Sequence, residues 1–399
     1  THYRYRGQND LAYLFAHHAS FIEPKQEWMS FISDSLKYEI NEEISIAAYY
    51  TPFREEGFFA ADQILLQKNA PWNQKEQAFK NLLFYIQNLK NAEFKKVEID
   101  LPLIREGEEA YYNPMNPSIY RTDQGYKLIC RAVNFTLKNG VYTSLDPEDG
   151  VIRTRNFLIH YDQDFKLLSQ NEIVETAPRM KVEPLWRIEG FEDCRLFAFD
   201  QGDWFTCTTF DTNPTGVCQI SLCKLENEPK GKQIQVEKLV ALKGPDSNRY
   251  EKNWLPFVKE NQLLMLYSYM PFIINKPNIE TGEWEPVLQY ELNFDFSRFR
   301  GSAGPIPFDR GYLVLIHEVF MRTENERCYL HRFIYLDQDF MIKKISLPFT
   351  FQHVGVEYCC SMTLDHTGTK LIMPIGIEDR EAYLCTIDLD TVRALLQDL

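Results

Sequence analysis

Five clusters of polar residues interrupt apolar, β-type runs and carry the chemistry the sequence offers. Asn116-Pro-Ser-Ile opens one run, Arg131 stands in the next, and Arg153-Thr-Arg155-Asn156 begins another. Glu189-Gly-Phe-Glu192-Asp193-Cys-Arg195 puts paired carboxylates beside a guanidinium at a strand start. Glu251-Lys252-Asn253-Trp254 precedes Leu-Pro-Phe, and Arg298-Phe-Arg300-Gly-Ser-Ala-Gly-Pro-Ile-Pro precedes a run containing His317. The fifth cluster, Gly376-Ile-Glu378-Asp379-Arg380-Glu381, follows the run that ends at Ile375. Carboxylates can chelate paired hydroxyls, cations can neutralise phosphate, and indoles can stack on sugar faces, so the mixture suits a polyhydroxylated ligand, with or without phosphate. One at a time, each cluster reads equally as a structural salt bridge or a solvated cap. They gain meaning only if the fold brings them together.

Two patterns divide the elements that must do this. Up to about residue 95 apolar residues recur at helical spacing. Asn73 with Glu76 reads as a capping box ahead of the stripe Phe79, Leu82, Leu83, Ile86 and Leu89. Trp28, Ile32 and Leu36 form a shorter stripe, Phe58, Ala61 and Leu65 another, with Pro52 and Pro71 between. The stretch from Ser45 to Asn88 resembles degenerate tetratricopeptide-type helix pairs. From residue 96 onward short β-type runs alternate with turns such as Asp123-Gln-Gly125, Asp200-Gln-Gly202 and Asp309-Arg-Gly311, where Gly can supply the positive φ of a tight hairpin. So many antiparallel meanders fit a propeller better than a sandwich of ~100 residues. The expected fold is mainly β: a helical segment over 1–95, then a five-bladed β-propeller over 96–399. A propeller gathers one end of every inner strand on a single axis, which would unite the five clusters.

Composition narrows the partners. A formal charge of −14 makes nucleic acid a poor one. No apolar run approaches the ~20 residues of a membrane span, and Thr1-His-Tyr-Arg-Tyr-Arg lacks an apolar signal core, so a soluble, cytoplasmic protein without a transmembrane segment is expected. The nine cysteines are scattered without a CxxC pair and read as reduced structural thiols. The histidines show no HExxH and no Cys/His cluster, so neither a metal nor a cofactor is expected.

The order Asn-Pro-Ser, Arg, Glu-Asp-x-Arg, Lys-Asn-Trp, Gly-Ser-Ala-Gly-Pro-Ile-Pro, Gly-Tyr-Leu-x-x-Ile-His and Gly-x-x-Asp, over about residues 110 to 390, is similar to glycoside hydrolase family 130. That family contains five-bladed-propeller mannoside phosphorylases and hydrolases, and mannosyltransferases of glycosyltransferase family 108 are related. The resemblance makes Asp193 the general acid, acting in several members through a substrate hydroxyl. It places Asn116 and Asp379 on the sugar and Arg131 near the reacting sugar, with Arg155, Glu192 and Arg195 grouped with them as substrate-binding. Lys252, Asn253, Arg300 and His317 fall where phosphorylases hold inorganic phosphate. Two departures matter: Cys194 replaces the motif Pro, and Leu266-Tyr-Ser-Tyr-Met-Pro271 lacks an arginine that many phosphorylases use for phosphate.

The resulting expectation is an inverting carbohydrate-active enzyme on a mannoside-like bond, transferring to or from phosphate or from a sugar-phosphate or nucleotide-sugar donor. Its substrate would be an oligosaccharide or glycan. Hydrolysis is the near alternative, with Glu192, Glu318 and Glu378 as candidates for the second carboxylate that would activate water. A non-catalytic glycan-binding or scaffold module, its helices recruiting a protein partner, is the alternative of another class.

Overall fold

The computed structural model describes residues 2–22, 35–104, 107, 110–138, 140–146, 148–176, 181–321 and 326–399, with backbone alone at 35–37. It divides into two compact units. One comprises Thr1–Asn88, Glu291–Arg298 and Leu347–Phe349; the other comprises Leu89–Tyr290, Phe299–Ser346 and Thr350–Leu399.

The first unit holds helices α1 (Asn9–Ser20), α2 (Ser35–Ala47), α3 (Arg54–Leu66) and α4 (Trp72–Leu82), each packed against the next. Small buried residues, Ala12, Ala16, Ala47, Ala48 and Ala60, let α1 to α3 approach closely around Tyr13 and Ile44. Trp28 and Ile32 of the expected stripe lie outside the described residues, and the Leu36 side chain is likewise not described. Asn73 does not cap α4. Pro71 is the N-cap, and its carbonyl takes the N–H groups of Gln74 and Lys75 at 3.1 Å each, while Glu76 pairs one turn on with Lys80 at 2.9 Å. The helix also stops before Ile86 and Leu89. Lys75, on its buried face, pairs with the buried Asp295, which also accepts the Ser297 N–H at 3.1 Å.

The second unit is a circuit of antiparallel meanders. β1 (Glu93–Lys96) comes first in the chain but pairs last. β2 (Asn113–Thr122) and β3 (Gly125–Val133) are followed by a separate hairpin, β4 (Phe135–Lys138) with β5 (Val141–Ser144), before β6 (Ile152–Asp162) and β7 (Leu167–Val174) complete the first sheet. Short β8 (Ile188–Glu189) runs beside β6. The second meander is β9 (Glu192–Phe199), β10 (Gly202–Thr209), β11 (Gln219–Leu225) and β12 (Gln233–Ala241), and β12 joins β7 in parallel. The third is β13 (Leu255–Lys259), β14 (Gln262–Tyr269), β15 (Phe272–Pro277) and β16 (Trp284–Tyr290). β17 (Arg300–Phe308), β18 (Gly311–Met321), β19 (Arg327–Leu336) and β20 (Ile342–Ser346) form the next. In the last, β21 (Glu357–Cys359) and β22 (Thr363–Leu364) both pair with β23 (Lys370–Ile377), then come β24 (Glu381–Asp388) and finally β1. α5 (Leu389–Leu395) and β25 (Leu396–Asp398) end the chain, β25 adding to β20.

The leading strands adjoin one another in a ring: β2 meets β9, β9 meets β13, β13 meets β17, β17 meets β21, and β21 returns to β2. Apolar residues at alternate strand positions fill the layers between meanders. Ile129 and Leu158 pack on Leu196 and Phe205, Trp204 and Leu222 on Trp254 and Met265, and Ile119 and Leu128 on Ile372 and Leu384. All nine thiols are buried and unbridged, several within these layers.

The β-type runs of the sequence at Tyr126–Phe135, Trp204–Phe210, Gly216–Leu225, Leu263–Tyr269, Tyr312–Phe320 and Cys328–Leu336 appear as β3, β10, β11, β14, β18 and β19, with small differences at their ends. Of the three expected Asp-x-Gly turns, the first has positive φ at Gly125 (φ 157) and the other two differ from expectation. In the β9–β10 turn, Asp200 (φ 46) and Gln201 (φ 56) carry the positive φ, and Asp309 (φ 51) does so before Gly311. Gly311 is needed for proximity: a Cβ there would collide with the Leu336 carbonyl of the adjoining strand.

Candidate active site

Four of the expected site residues have left-handed backbones: Asn116 (φ 43), Asp193 (φ 53), Asn253 (φ 65) and Asp379 (φ 52). Asn and Asp are the non-glycine residues that adopt this conformation most readily. Asn116 lies where the β2–β3 register slips between Met115 and Ser118, a bulge that re-aims its side chain. Asp193 is the second residue of β9, Asn253 lies two residues before β13, and Asp379 two residues after β23. All four therefore stand at the end of the sheets where the leading strands begin. In a regular strand Glu192 and Asp193 would face opposite ways. The kink at Asp193 lets both reach Arg131.

Arg131 is 3% exposed, donating to Asp193 Oδ1 at 3.1 Å and to the Thr154 hydroxyl at 3.3 Å, and meeting Glu192 Oε1 at 3.3 Å. Asn116 Nδ2 donates to the same Asp193 oxygen at 2.8 Å. Lys252 Nζ holds the other Glu192 oxygen at 2.8 Å and lies over the Phe210 ring. Burial works against the Glu192 charge, yet Lys252 and Arg131 prevail and hold its carboxyl well below the usual range. Asp379 behaves oppositely. Burial, reinforced by Asp193, Glu192 and Glu378 against the pull of Arg131, pushes its pKa up to about 6, and among the described residues no group hydrogen-bonds to its carboxylate.

A second set adjoins the first through Arg195, which donates to the Asp193 carbonyl at 3.3 Å, to Asn253 Oδ1 at 3.3 Å and to the Tyr358 hydroxyl at 2.5 Å. Tyr358 in turn donates to Asn253 at 2.6 Å and meets the His317 ring edge-on at 5.2 Å. His317 shares a hydrogen bond with Ser302 at 2.8 Å. Burial, with His331, Arg195 and Arg300 nearby, keeps its imidazole uncharged, well below the ordinary histidine range. Arg300 faces His317 across the β17–β18 pair and is exposed; partial burial and the nearby Arg249 lower its pKa. Two buried atoms within the network, Asn116 Oδ1 and Arg195 Nε, find no hydrogen-bond partner among the described residues. Among the described residues no group of three or more His, Cys, Asp and Glu is arranged to hold a metal ion.

Arg155 is not brought here. Its guanidinium is held by both Glu172 oxygens, at 2.6 and 2.7 Å, and lies over Tyr112. Alternation along β6 explains this: Thr154 and Asn156 share the face toward the site, where Thr154 meets Arg131 and Asn156 anchors the Phe191 carbonyl at 2.9 Å, so Arg155 must point away. That signal was present in the sequence. Of the candidate second carboxylates, Glu318 forms a fully buried pair with Arg332 at 3.1 Å, Glu192 is clamped as above, and Glu378 is held by His353 at 2.9 Å and the Val356 N–H at 3.2 Å. Tyr358 had no sequence signal, standing between Glu357 and Cys359 outside the polar clusters.

No protein family model and no curated protein matches the chain. Solved structures do. A β-1,2-mannobiose phosphorylase from Listeria innocua, in complex with β-1,2-mannobiose, gives a TM-score of 0.50 at 14% identity, covering 76% of this chain and 99% of that one. The chain has a propeller-type fold. A mannose phosphorylase from Leishmania mexicana in complex with phosphate gives 0.41 at 12% identity, covering 76% and 92%, and a GDP-Man-dependent mannosyltransferase from the same organism gives 0.42 at 8%, covering 69% and 86%.

Proposed function

We propose that the second unit, read as a five-bladed propeller, is an inverting carbohydrate-active enzyme that makes or breaks a mannoside-like bond, with Asp193 as its acid. The observation that carries this reading is the convergence of Asn116, Arg131, Glu192, Asp193, Lys252 and Asp379, supplied by three sheets, on one place. Such a constellation suits a ligand rich in hydroxyls. The mannobiose bound to the Listeria innocua enzyme supports a mannoside as the first substrate class to test.

In the favoured reaction a phosphate oxygen attacks the anomeric carbon from the face opposite the leaving oxygen. The glycosidic C–O bond breaks, and the leaving oxygen takes a proton supplied by Asp193 through a sugar hydroxyl. Arg300 supports phosphate or a sugar-phosphate donor as co-reactant, since it is an exposed guanidinium beside His317, with the charge of Arg249 nearby, and an anion would be drawn to both. Asn253 and His317 adjoin it as neutral hydrogen-bonding groups, and Lys252 reaches the site through Glu192. The second reading is hydrolysis, favoured by Asp379, whose pKa of about 6 suits a base that activates water. The first unit we read as a docking or spacer segment related to tetratricopeptide pairs, in a cytoplasmic protein.

The test is turnover of β-mannosides with and without inorganic phosphate, and of nucleotide-sugar donors with mannoside acceptors. Phosphate-dependent release of sugar 1-phosphate, weakened in Arg300→Ala through a higher KM for phosphate, supports transfer. Equal turnover without phosphate supports hydrolysis. A folded protein that turns over nothing but retains glycan binding would overturn the catalytic reading.

A further inference from the structure

The hairpin β4–β5 belongs to none of the meanders. Between β3 and β6 the chain leaves the first sheet, forms this two-stranded ribbon and returns. Its base is tied down. Asn134, 1% exposed, donates to the Val151 carbonyl at 3.1 Å, accepts the Arg153 N–H at 2.6 Å, and its own carbonyl takes the Leu145 N–H at 2.6 Å. The ribbon carries Tyr142, whose ring packs edge-on against Phe135 at 5.0 Å yet remains 41% exposed. Arg327, at the start of β19, donates to the Tyr142 hydroxyl at 3.3 Å. That hydroxyl lies within electrostatic reach of Asp379, Glu192 and Lys252, and Tyr329, which stacks on His317, is also within reach of Asp379 and Asp193. A contact between the β4–β5 hairpin and the sheet of β17 to β20 thus lies beside the site.

We propose that Tyr142 and Arg327 form a second sugar subsite, beside the one built on Asn116, Asp193 and Asp379, that holds the residue across the scissile bond. This rests on the functional reading above. An exposed aromatic ring offers its face to the C–H side of a pyranose, and a guanidinium beside it donates to ring hydroxyls. The tied hairpin makes the ring pre-organised, so little ordering cost opposes binding. The subsite takes a neutral hexose, because the carboxylates nearby disfavour an acidic sugar and the Tyr142 hydroxyl and Arg327 already satisfy each other.

The experiment is calorimetric titration of mannose and β-1,2-mannobiose into wild-type protein, Tyr142→Ala, Tyr142→Phe and Arg327→Ala, with melting temperatures as a check on folding. Wild-type protein is expected to bind the disaccharide about tenfold more tightly than the monosaccharide. Tyr142→Ala and Arg327→Ala should bring that ratio close to one while leaving mannose affinity unchanged, and Tyr142→Phe, which keeps the ring, should retain most of it. A ratio unchanged in Tyr142→Ala and Arg327→Ala, or a wild-type protein that binds both sugars equally, overturns the subsite alone. A wild-type protein that binds neither sugar overturns the functional reading and the subsite with it.

Discussion

Asn116 donates a 2.8 Å hydrogen bond to Asp193, 77 residues further along the chain, and both residues have left-handed backbones. Neither conformation is the local optimum for a strand residue. Such strain costs of order 1–3 kcal/mol and persists only where the surroundings enforce it, characteristically at functional sites. Here the enforcement is mutual, through the shared carboxylate oxygen and Arg131.

Asp193→Asn should lower turnover at least ~10²-fold, the usual scale for a general acid, with a melting temperature close to wild type. Asn116→Ala should reduce activity less, because Arg131 still holds Asp193. Steady-state kinetics on the substrate identified above checks both. Full activity in Asp193→Asn would sink the mechanism.

Asp379 gives a pH-dependent prediction. Its pKa is raised in the folded state to about 6, so the proton is bound more tightly folded than unfolded. The stability this contributes is complete below the unfolded value near pH 4 and is lost as pH rises through about 6. Asp379→Asn should therefore melt higher than wild type at pH 7.5 and equal to it near pH 4, while losing activity. Thermal melts over that range decide the matter; a variant destabilised equally at both pH values would contradict the assignment.

His317 and His331 act in the other direction. Burial lowers both, His331 to about 3. Depressed histidines contribute stability above the unfolded value of ~6.5 that is lost as pH falls. Their imidazole nitrogen resonances should show no titration in the folded protein between pH 7.5 and 5.5, while the melting temperature declines over that interval. A titration midpoint near 6.5 for His317 would mean that it is solvated and chargeable, restoring it as a cationic phosphate ligand.

In the first unit, Lys75→Ala would leave Asp295 buried without its ammonium partner. Breaking a buried pair from one side typically costs about 3–5 kcal/mol, so denaturant unfolding of this variant should show a markedly lower midpoint. Burial opposes the Asp295 charge, and Lys75 with the Ser297 groups overcomes it to lower its pKa, so the wild-type advantage should fade as pH drops below ~4. A midpoint unchanged at neutral pH would show that the pair contributes little.

Much of the second unit was legible in the sequence because a β-meander writes itself locally: apolar alternation marks strands and Asp-x-Gly marks turns. The strand runs from Tyr126 to Leu336 and the polar clusters at strand starts follow from that pattern alone. Where the pattern holds, it also corrects: alternation on β6 sets Arg155 against Glu172 and gives the site Thr154, and alternation on β18 turns Glu318 toward Arg332 and His317 toward Ser302. The tertiary structure decided what happens where alternation breaks. That Glu192 and Asp193 both reach Arg131 depends on one left-handed residue, and that conformation is enforced by Asn116 and Arg131 from other strands, partners that local propensity cannot see. The same holds for Tyr358, an unremarked tyrosine until the ring of leading strands sets it beside Arg195 and Asn253, and for Asp379, whose pKa of about 6 arises from burial and from carboxylates that the sequence keeps almost two hundred residues away.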